Sequence, residues 1–392
     1  MTFEPMWAKL EPVGRLKSTG GYGRFAWTSI DSTLRHWFKS EAESRGLDVV
    51  ADRAGNLWAW WGNPDSSTPG VVVGSHLDSV PDGGAFDGPL GVVSAFVAVD
   101  RLRARNLQPA VPVGIACLAD EEGARFGVAC AGSRLVTGAL RADRALALRD
   151  GDGLSLAEAM AASGHNPRDV GPDPEALGRV GVFVELHVEQ GRGLARLGYP
   201  VAVGSSIWPH GRWRFDLAGE ANHAGTTPLA DRRDPMLDLA QLVLTARTSA
   251  STAGCVATIG KVRVEPNGVN AIPSRVCAWL DARGPIEGEV RSVARAIATA
   301  VGSDAVEESF TAETHFDLAL VTRLAKLLGD VPVLGTGAGH DAGIFSQAGI
   351  PSVMLFVRNP TGVSHSPAEH AEIADCLAGI DALTRVLEDL VG

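Results

Sequence analysis

The sequence predicts an α/β protein in which a mostly parallel sheet is interrupted by an inserted α+β domain. Short hydrophobic strands alternate with helical segments near both ends of the chain, which is typical of parallel sheets. In the middle, the strands alternate apolar and polar residues, as half-buried antiparallel strands do. At 392 residues the chain is also long for a single core, since such cores rarely exceed about 250–300 residues.

The N-terminal α/β part can be followed element by element. A helical period runs through residues 30–45 and ends at Gly46. The apolar runs at 49–51 and 57–61 flank a short turn and predict a hairpin. Further along the chain we predict a strand at 71–73, a helix at 91–103, and strands at 111–118 and 180–186. Strand, loop, helix and strand therefore repeat, as they do in a parallel sheet.

The pattern changes near residue 207 and changes back near residue 320. Between these points we predict strands at 212–217, 256–264 and 275–281, and helices at 234–248 and 290–301. After them we predict a helix at 320–328, a strand at 351–357 and a helix at 374–391. The chain therefore divides into a discontinuous catalytic domain, residues 1–207 and 320–392, and an inserted domain, residues 208–319.

The composition argues against several classes of partner. The chain carries 35 basic and 46 acidic residues, a net charge of −11, without a run of Lys or Arg. Proteins that bind nucleic acid or anionic membranes usually present a basic face, so we expect neither partner. No segment approaches the roughly 18 apolar residues of a membrane span, and no secretory signal is visible. Five widely spaced cysteines without a CxxC pair indicate reduced thiols and a cytoplasmic location.

Polar islands interrupt the apolar sequence at five places. They contain His76, Asp87, the pair Glu121-Glu122, His187 and His365. The first and third islands follow predicted strands, at the carboxyl ends where open α/β sheets bind ligands. Imidazole and carboxylate together form a donor set that Zn²⁺ or Mn²⁺ accepts. The islands therefore predict a hydrolase with two metal ions.

The residue types suggest how the ligands divide between the two ions. His76 leaves a strand end, and Asp78 could fix the tautomer and orientation of its ring. Asp87 lies in a Gly-rich loop, whose backbone freedom suits a carboxylate that bridges two cations. His187 would complete the shell of one ion and His365 that of the other.

The adjacent carboxylates of Glu121 and Glu122 suggest a base beside a ligand. Like charges at a strand end repel unless a cation takes one of them, so Glu122 is assigned as a ligand and Glu121 as the general base. Glu185 and Glu189 flank His187 and could orient it. Each signal alone has a plainer interpretation, since isolated histidines are usually structural, paired glutamates solvated and Phe-Asp-Gly a turn. A metal-binding scaffold without activity is a further alternative, but it would have no use for Glu121.

Eight motifs together resemble the amidase/hydantoinase/carbamoylase family of dinuclear metallohydrolases. They are Gly74-Ser-His-Leu-Asp-Ser-Val, Phe86-Asp-Gly-Pro-Leu-Gly, Glu121-Glu-Gly-Ala-Arg-Phe, Glu185-Leu-His-Val-Glu-Gln-Gly, Asn222-His-Ala-Gly-Thr-Thr-Pro, Asn270-Ala-Ile-Pro, Gly337-Ala-Gly-His-Asp-Ala and Gly362-Val-Ser-His-Ser-Pro. The resemblance runs from near residue 20 to near residue 370. It implies two divalent ions, Zn or Mn, and an inserted domain that serves as a lid and dimerises the chain into a homodimer.

The resemblance also assigns roles to individual residues. It places one ion on His76, Asp87 and His187, the other on Asp87, Glu122 and His365, and the general base at Glu121. It implies that His223 contacts the substrate carbonyl and that Asn270 and Arg283 bind the substrate carboxylate. It also implies that His340 lines the site and that Gln190 and His210 face the ureido group. The family often has Gln where His210 stands. A salt bridge with Asp281 is the alternative role for Arg283, although its planar fork also matches a carboxylate.

The implied activity is hydrolysis of the carbamoyl C–N bond of a small ureido carboxylate. The stretches at 81–91 and 207–213 resemble sequences assigned to allantoate, which is therefore the first expected substrate. N-carbamoyl-L-amino acids, or N-carbamoyl-β-alanine as in a β-ureidopropionase, are the alternatives. An aminoacylase or peptidase is a poorer match, since His187, Asn270 and Arg283 are typical of the ureido-cleaving branch.

Overall fold

The computed structural model describes residues 2–392 and contains two sheets of four or more strands. The strands are β1 (Asp48–Ala51), β2 (Leu57–Trp61), β3 (Gly70–His76), β4 (Val113–Leu118), β5 (Val180–Val188), β6 (Val201–Ile207), β7 (His210–Ala218), β8 (Asn222–His223), β9 (Val256–Glu265), β10 (Ala271–Ile272), β11 (Arg275–Arg283), β12 (Val306–Thr311), β13 (Thr314–His315), β14 (Val333–Thr336) and β15 (Ser352–Val357).

The α-helices range from one turn to five turns. They are α1 (Phe3–Leu10), α2 (Ser29–Glu43), α3 (Pro89–Ala104), α4 (Ala131–Thr137), α5 (Ala142–Leu146), α6 (Leu156–Ala162), α7 (Pro174–Gly178), α8 (Gly193–Leu197), α9 (Pro235–Thr252), α10 (Glu287–Val301), α11 (Leu318–Leu327), α12 (Asp341–Gln347) and α13 (Ile373–Val391). The segments predicted as helices before residue 110 and after residue 230 are α2, α3, α9, α10, α11 and α13.

The larger sheet has nine strands and a parallel centre. Its order is β1-β2-β4-β3-β5-β15-β6-β13, with β14 also paired to β6. The four central strands run parallel to one another, whereas the pairs β1–β2, β2–β4 and β15–β6 are antiparallel. This confirms the predicted fold class, a mostly parallel sheet in an α/β chain. Strands β3, β4 and β15 are buried along their whole length, as parallel strands covered on both faces are.

The helix α3 explains how this sheet is covered. It is buried on nearly all sides, and it packs against β3 and against α13. A helix that is apolar all round is stable only inside a protein, which is why its sequence lacks a polar stripe. Pro89 occupies its first turn, where the missing N–H costs nothing. The chain therefore enters α3 directly from the loop that carries Asp87.

By its internal contacts the chain forms two compact units. The first runs to Ser206 and also includes His315–Leu334 and Gly339–Gly392; the second comprises Ile207–Thr314 and Gly335–Ala338. The predicted limit of the insertion, residue 319, lies beyond Thr314 because Phe316 is buried and donates its N–H to Ser205 at 3.0 Å. In the sequence, the point at which the chain re-enters the first unit could be recognised only from the apolar face of the following helix.

The second unit is an antiparallel sheet covered on one face by two helices. Its four strands run in the order β12-β7-β11-β9, and α9 and α10 pack on the sheet. Alternate residues of β7, namely Trp213, Phe215 and Leu217, enter its core. This alternation is the signal that predicted the strand. β12 was missed because its Val-Glu-Glu-Ser sequence lies exposed at the sheet edge and carries no apolar alternation.

No helix within residues 2–392 has both the length and the apolar character needed to span a bilayer. The five cysteines are free thiols, and most of them are buried. Burial raises the pKa of Cys117 and of Cys376 to about 12, so that neither thiol ionises near neutral pH. Their environment is that of packed, unreactive cysteines.

Candidate metal centre and active site

The polar islands converge at the carboxyl edge of the larger sheet. His76 is the last residue of β3, and His187 is the last but one of β5. Glu121 and Glu122 follow β4 after a turn in which Asp120 adopts a positive φ of 55°. Because β3, β4 and β5 are parallel, their ends meet at one edge. Topology thus brings together residues that lie more than a hundred positions apart.

Asp87 lies between two groups of side chains and turns a different oxygen to each. Its Oδ1 is 3.6 Å from Nε2 of His76 and 3.2 Å from Nε2 of His187. Its Oδ2 is 3.4 Å from Nε2 of His365, which is itself 3.5 Å from Oε2 of Glu122. Three triads could hold a metal ion: His76–Asp87–His187 and Asp87–Glu122–His365, which share Asp87, and Glu185–His187–His340. The first two are the triads meant below. The structure therefore brings together all five predicted ligands, with the predicted bridge in the middle.

The orientation of the two strand histidines fits metal binding. Nδ1 of His76 lies 3.1 Å from the carbonyl oxygen of Asp78, and Nδ1 of His187 lies 2.9 Å from that of Val188. A ring that donates its Nδ1 proton to a carbonyl keeps a lone pair on Nε2 for a metal. Both Nε2 atoms are buried without a hydrogen-bond partner, as is Oε1 of Glu122. Ligands of one tetrahedral Zn²⁺ lie roughly 3.4 Å apart, close to the separations found here.

The backbone beside the centre is shaped for the ring of His76. Gly88 has a φ of +87°, and a Cβ at this position would lie 2.5 Å from that ring. Only glycine combines this conformation with so close an approach. The Phe86-Asp-Gly motif therefore places Asp87 and leaves room for the histidine that it faces.

The charges of the centre are strongly coupled. Burial alone would raise the pKa of Asp87, but the three histidines around it, His187 foremost, hold that pKa well below its ordinary value. Burial, together with the nearby charge of Asp87, raises the pKa of Glu122 to about 7. The hydrogen bond to Asp87 raises the pKa of His365 to about 9. A divalent cation would replace these protons as the positive charge, so the same side chains suit a metal.

Glu121, the predicted base, lies beside the centre rather than within either triad. The residue is 5% exposed, and its Oε2 is 3.7 Å from Nε2 of His76. Its Oε1 accepts a hydrogen bond from Sγ of Cys130 at 3.4 Å. Burial raises the pKa of Glu121 well above its ordinary value, which favours proton uptake at neutral pH. A buried carboxylate beside the His76 ring, yet outside both triads, suits a group that carries protons.

Asp78 has a role beyond the suggested contact with His76, and Glu189 does not contact His187 as suggested. The carboxylate of Asp78 accepts the backbone N–H groups of Glu121 and Glu122, at 3.2 and 3.0 Å. Its oxygen Oδ1 is 3.4 Å from the His76 ring, so the backbone carbonyl of Asp78 is the nearer partner of that ring. Glu189 instead accepts from Gly193 and its neighbour at the start of α8, away from His187. Both residues lie just past the end of a strand, where the regular alternation of side chains no longer sets their direction.

A buried polar layer lies next to His187. Glu185 accepts from Oγ of Ser75 and from the N–H of Ala342, both at 2.9 Å. The ring of His340 lies 4.5 Å from that of His187, centroid to centroid, and its Nδ1 has no partner. Burial, reinforced by the charge of His187, holds the pKa of His340 well below its ordinary value, so the ring is neutral. His340 is thus beside the centre, as its motif implied.

Gln190 contacts the bridging carboxylate directly. Its Nε2 is 2.8 Å from Oδ2 of Asp87 and 3.3 Å from Nε2 of His365, and its Oε1 has no partner. An amide N–H would not face a cation at that position, whereas the carbonyl oxygen of the flipped amide could. The predicted contact of Gln190 with the ureido group stays a prediction.

The second unit brings the remaining predicted residues together in two pairs. His223 is exposed on β8, which pairs with β10, and Asn270 immediately precedes β10. The carbonyl of Asn270 accepts the N–H of Ala224 at 3.0 Å. His210 and Arg283 face each other across β7 and β11. Burial, with the Arg283 charge adding to it, lowers the pKa of His210.

Arg283 makes the salt bridge that was its alternative role. Its Nε and Nη2 donate to Asp281 at 2.7 and 3.1 Å, and its Nη1 donates to the carbonyl of Gly337 at 2.8 Å. The guanidinium therefore has its fork engaged within the second unit. Binding of a substrate carboxylate would have to compete with Asp281 for the same donors.

Three residues at the centre, of which Cys130 and Glu369 are buried, were missed by sequence reasoning. Cys130 contacts Glu121, Ser364 donates to Oδ2 of Asp87 at 3.1 Å, and Glu369 accepts the N–H of Asp87 at 3.0 Å. Ser364 stands next to His365 in the quoted Gly-Val-Ser-His-Ser-Pro motif, which was the available signal. Cys130 and Glu369 lie outside the quoted motifs and carried no signal of their own.

Comparisons with known proteins agree over nearly the whole chain. The profile described as "Peptidase family M20/M25/M40" matches residues 72–389. An N-carbamoyl-L-amino acid amidohydrolase of Geobacillus stearothermophilus is 38% identical and covers 97% of this chain and 96% of its own length. An allantoate amidohydrolase of Escherichia coli (strain K12) is 31% identical, with 95% and 93% covered. The resemblance that the motifs predicted is thereby confirmed.

The fold comparison points the same way. A crystal structure of an amidase of the hydantoinase/carbamoylase family from Burkholderia multivorans superposes with a TM-score of 0.87 at 27% identity. The match covers 100% of this chain and 98% of that one. Both units therefore have counterparts in a single solved structure.

Proposed function

We propose that this chain, which belongs to peptidase family M20/M25/M40, removes the carbamoyl group of a small ureido carboxylate with two divalent ions and a glutamate base. Its relatives at 38% and 31% identity are amidohydrolases of non-peptide carbon–nitrogen bonds, and the chain is a hydrolase of the same kind. Its metal ions, the roles of its residues and its substrate are proposed from the geometry below.

One observation carries the proposal: Asp87 turns one oxygen to His76 and His187 and the other to His365. A carboxylate held in this way suits a bridge between two cations. Glu121, buried beside them and outside both triads, supplies the proton carrier that a passive metal site would not need. The proposed ions are Zn²⁺ or Mn²⁺, since the donors are imidazole and carboxylate.

In the proposed reaction Glu121 takes a proton from the attacking water and delivers it to the nitrogen that leaves. Two cations bound at the triads would polarise the carbamoyl oxygen and acidify the water. Burial already raises the pKa of Glu121, which favours its uptake of the proton, and an amine leaving group is basic enough to take that proton afterwards. His223 is proposed as the donor to the carbonyl oxygen, and Asn270 and Arg283 as the groups that bind the substrate carboxylate.

Two substrates fit this chemistry, and each has one observation in its favour. The stretches at 81–91 and 207–213 favour allantoate. The higher identity to the Geobacillus protein, 38% against 31%, favours an N-carbamoyl-L-amino acid. Both compounds carry a carbamoyl group and a carboxylate, the two groups that the proposed residues would bind. We propose allantoate first, with the N-carbamoyl-L-amino acid as the second candidate.

A substrate panel tests the proposed function. Ammonia release is measured with allantoate, several N-carbamoyl-L-amino acids and N-carbamoyl-β-alanine, and release of a free amino acid is measured with a dipeptide and an N-acetyl amino acid as controls. We expect turnover of at least one ureido carboxylate and none of either control. Faster cleavage of the dipeptide or of the N-acetyl amino acid would contradict the proposed substrate class.

We also propose that the chain is a homodimer that associates through the second unit. The strand β9 is a terminal strand of its sheet and exposes Val256 and Val262, and the helix α9 exposes Leu237 and Leu244. A long terminal strand with apolar side chains is a surface that proteins normally cover. A second copy of this chain is the proposed cover.

Arg283 gives a test that separates substrate binding from chemistry. Arg283→Ala should lower kcat/KM. The loss of transition-state stabilisation should be about 2–5 kcal/mol, the usual cost of leaving a buried charge without its partner. Arg283→Lys should already lower it, because a point-charge ammonium cannot reproduce the fork. Arg212→Lys, which alters the other arginine at Asp281, is the matched control and should leave kcat/KM unchanged.

The same residue tests the homodimer. In the family that the motifs resemble, this arginine reaches the active site of the partner chain. Mixing inactive Arg283→Ala with inactive Glu121→Gln under subunit exchange should then restore part of the activity, since each mixed dimer has one site with both residues intact. If exchange is verified and no activity returns, Arg283 does not act across a dimer.

A further inference from the structure

Glu369 is a buried carboxylate that joins the two loops of the centre. It is 6% exposed, and its Oε1 accepts the backbone N–H groups of Phe86 and Asp87, at 2.9 and 3.0 Å. Its Oε2 accepts the hydroxyl of Ser364 at 3.0 Å. One side chain thus connects the loop of Asp87 to the loop of His365.

The hydroxyl of Ser364 couples Glu369 to the bridging carboxylate. Its Oγ lies 3.1 Å from Oδ2 of Asp87 and 3.0 Å from Oε2 of Glu369. A hydroxyl has one proton and can donate to only one of these carboxylates at a time. When Oδ2 of Asp87 is engaged elsewhere, Glu369 is the acceptor that keeps Ser364, and the adjacent His365, in place.

The loop around Asp87 is shaped to admit this carboxylate. A Cβ on Gly84 would lie 2.2 Å from Cδ and Oε1 of Glu369 and 2.6 Å from its Cβ. Gly84 has no positive φ, so its backbone conformation would accept alanine. The position thus excludes a side chain because Glu369 fills the space. This contact is independent of the hydrogen bonds and points to the same residue.

We propose that Glu369 is a positioning residue for the ion on the His365 side of the centre. His76 and His187 are fully buried and held by strands β3 and β5, so these two ligands of their triad do not depend on Glu369. The side chain of His365 is 49% exposed and lies on a loop. Without Glu369, that loop loses the two hydrogen bonds that hold the backbone of the Asp87 loop. The inference rests on the proposed two-metal function.

Metal affinity tests this role in the full-length chain. The chelator-stripped protein is titrated with Zn²⁺ and then dialysed and analysed for bound zinc. Glu369→Ala should weaken one of the two ions by about 10–100-fold, the usual effect of removing a partner behind the ligands. The other ion, whose two histidine ligands are held by strands, should be weakened much less. Glu369→Gln should lose less affinity for that ion, because the carbonyl of the glutamine can still accept from the Phe86 and Asp87 amides.

A second variant reaches the same side chain from the opposite loop. Gly84→Ala must displace the Glu369 carboxylate and should therefore weaken the same ion selectively. Gly83→Ala is its matched control, since a Cβ there meets Val80 and Ser79 at 3.1–3.3 Å and does not meet Glu369. Glu372→Gln, an exposed glutamate near the same loop, is the control for charge and should bind both ions normally.

The outcomes separate this inference from the proposed function. Equal weakening of both ions together with a lower Tm would show a merely structural role and overturn it. Normal zinc binding by both Glu369→Ala and Gly84→Ala would overturn it as well. A wild-type chain that binds fewer than two zinc ions would contradict the two-metal function itself, whatever the variants do.

Discussion

Glu121→Gln should lower kcat by about 10²–10⁴, the usual contribution of a general base, and leave metal content and fold intact. The amide keeps the size of the carboxylate and can still accept from Cys130, but it cannot take a proton from water. Because Glu121 lies outside both metal triads, its neutralisation should not release either ion. Steady-state kinetics with the best ureido substrate, together with elemental analysis, measure the two effects.

Two comparisons make this result specific. Glu175→Gln changes an exposed glutamate that pairs with Arg179 and should leave kcat unchanged. Glu122→Gln should instead lose metal, because Glu122 is assigned as a ligand. Near-normal turnover of Glu121→Gln would mean that the proton is carried by another group, and loss of both ions from it would mean that Glu121 is a ligand.

Asp87→Asn should be more damaging to metal binding than replacement of any single histidine. Asp87 faces both groups of ligands, so neutralising it removes a negative oxygen from each ion. Removing a partner behind the ligands typically costs 10–100-fold in affinity, so loss of a shared ligand should exceed about 100-fold for both ions. The zinc affinity measured by titration and the value of kcat/KM should decline together.

A neighbouring aspartate provides the control for this variant. Asp82→Asn changes a residue of the same loop whose φ of 58° asparagine tolerates, and whose side chain bonds Thr19 rather than the centre. It should keep both ions and full activity. His76→Ala and His365→Ala should each lose mainly the ion that their own triad holds. If Asp87→Asn releases only one ion, Asp87 is not the bridge.

The ligands of the centre could be predicted because they follow strands. His76, Glu122 and His187 lie at or just beyond the ends of β3, β4 and β5, and parallel strands bring their carboxyl ends to one edge. The hydrophobic runs that predicted these strands were therefore sufficient to group residues distant in sequence. Asp87 and His365 lie in loops, so their place depended more on the motifs than on periodicity.

Residues whose partners come from another loop could not be predicted. Glu369 contacts the backbone of Phe86 across 283 positions, and nothing in local sequence predicts where two loops meet. Asp78 was predicted as the partner of His76 and does contact its ring, but the acceptance of the Glu121 and Glu122 amides by its carboxylate was not predicted. The pairing of His210 with Arg283 follows from the register of β7 and β11, and a register depends on the whole sheet.

The metal content of the fully active enzyme tests the central claim most directly. The chelator-stripped chain is titrated with Zn²⁺ or Mn²⁺ while ureido hydrolysis and bound metal are measured on the same samples. We predict that activity reaches its plateau at two ions per chain, and that the Asp87→Asn chain reaches neither the plateau nor the stoichiometry. Full activity at one ion per chain, or in the presence of excess chelator with no metal bound, would contradict a two-metal centre bridged by Asp87.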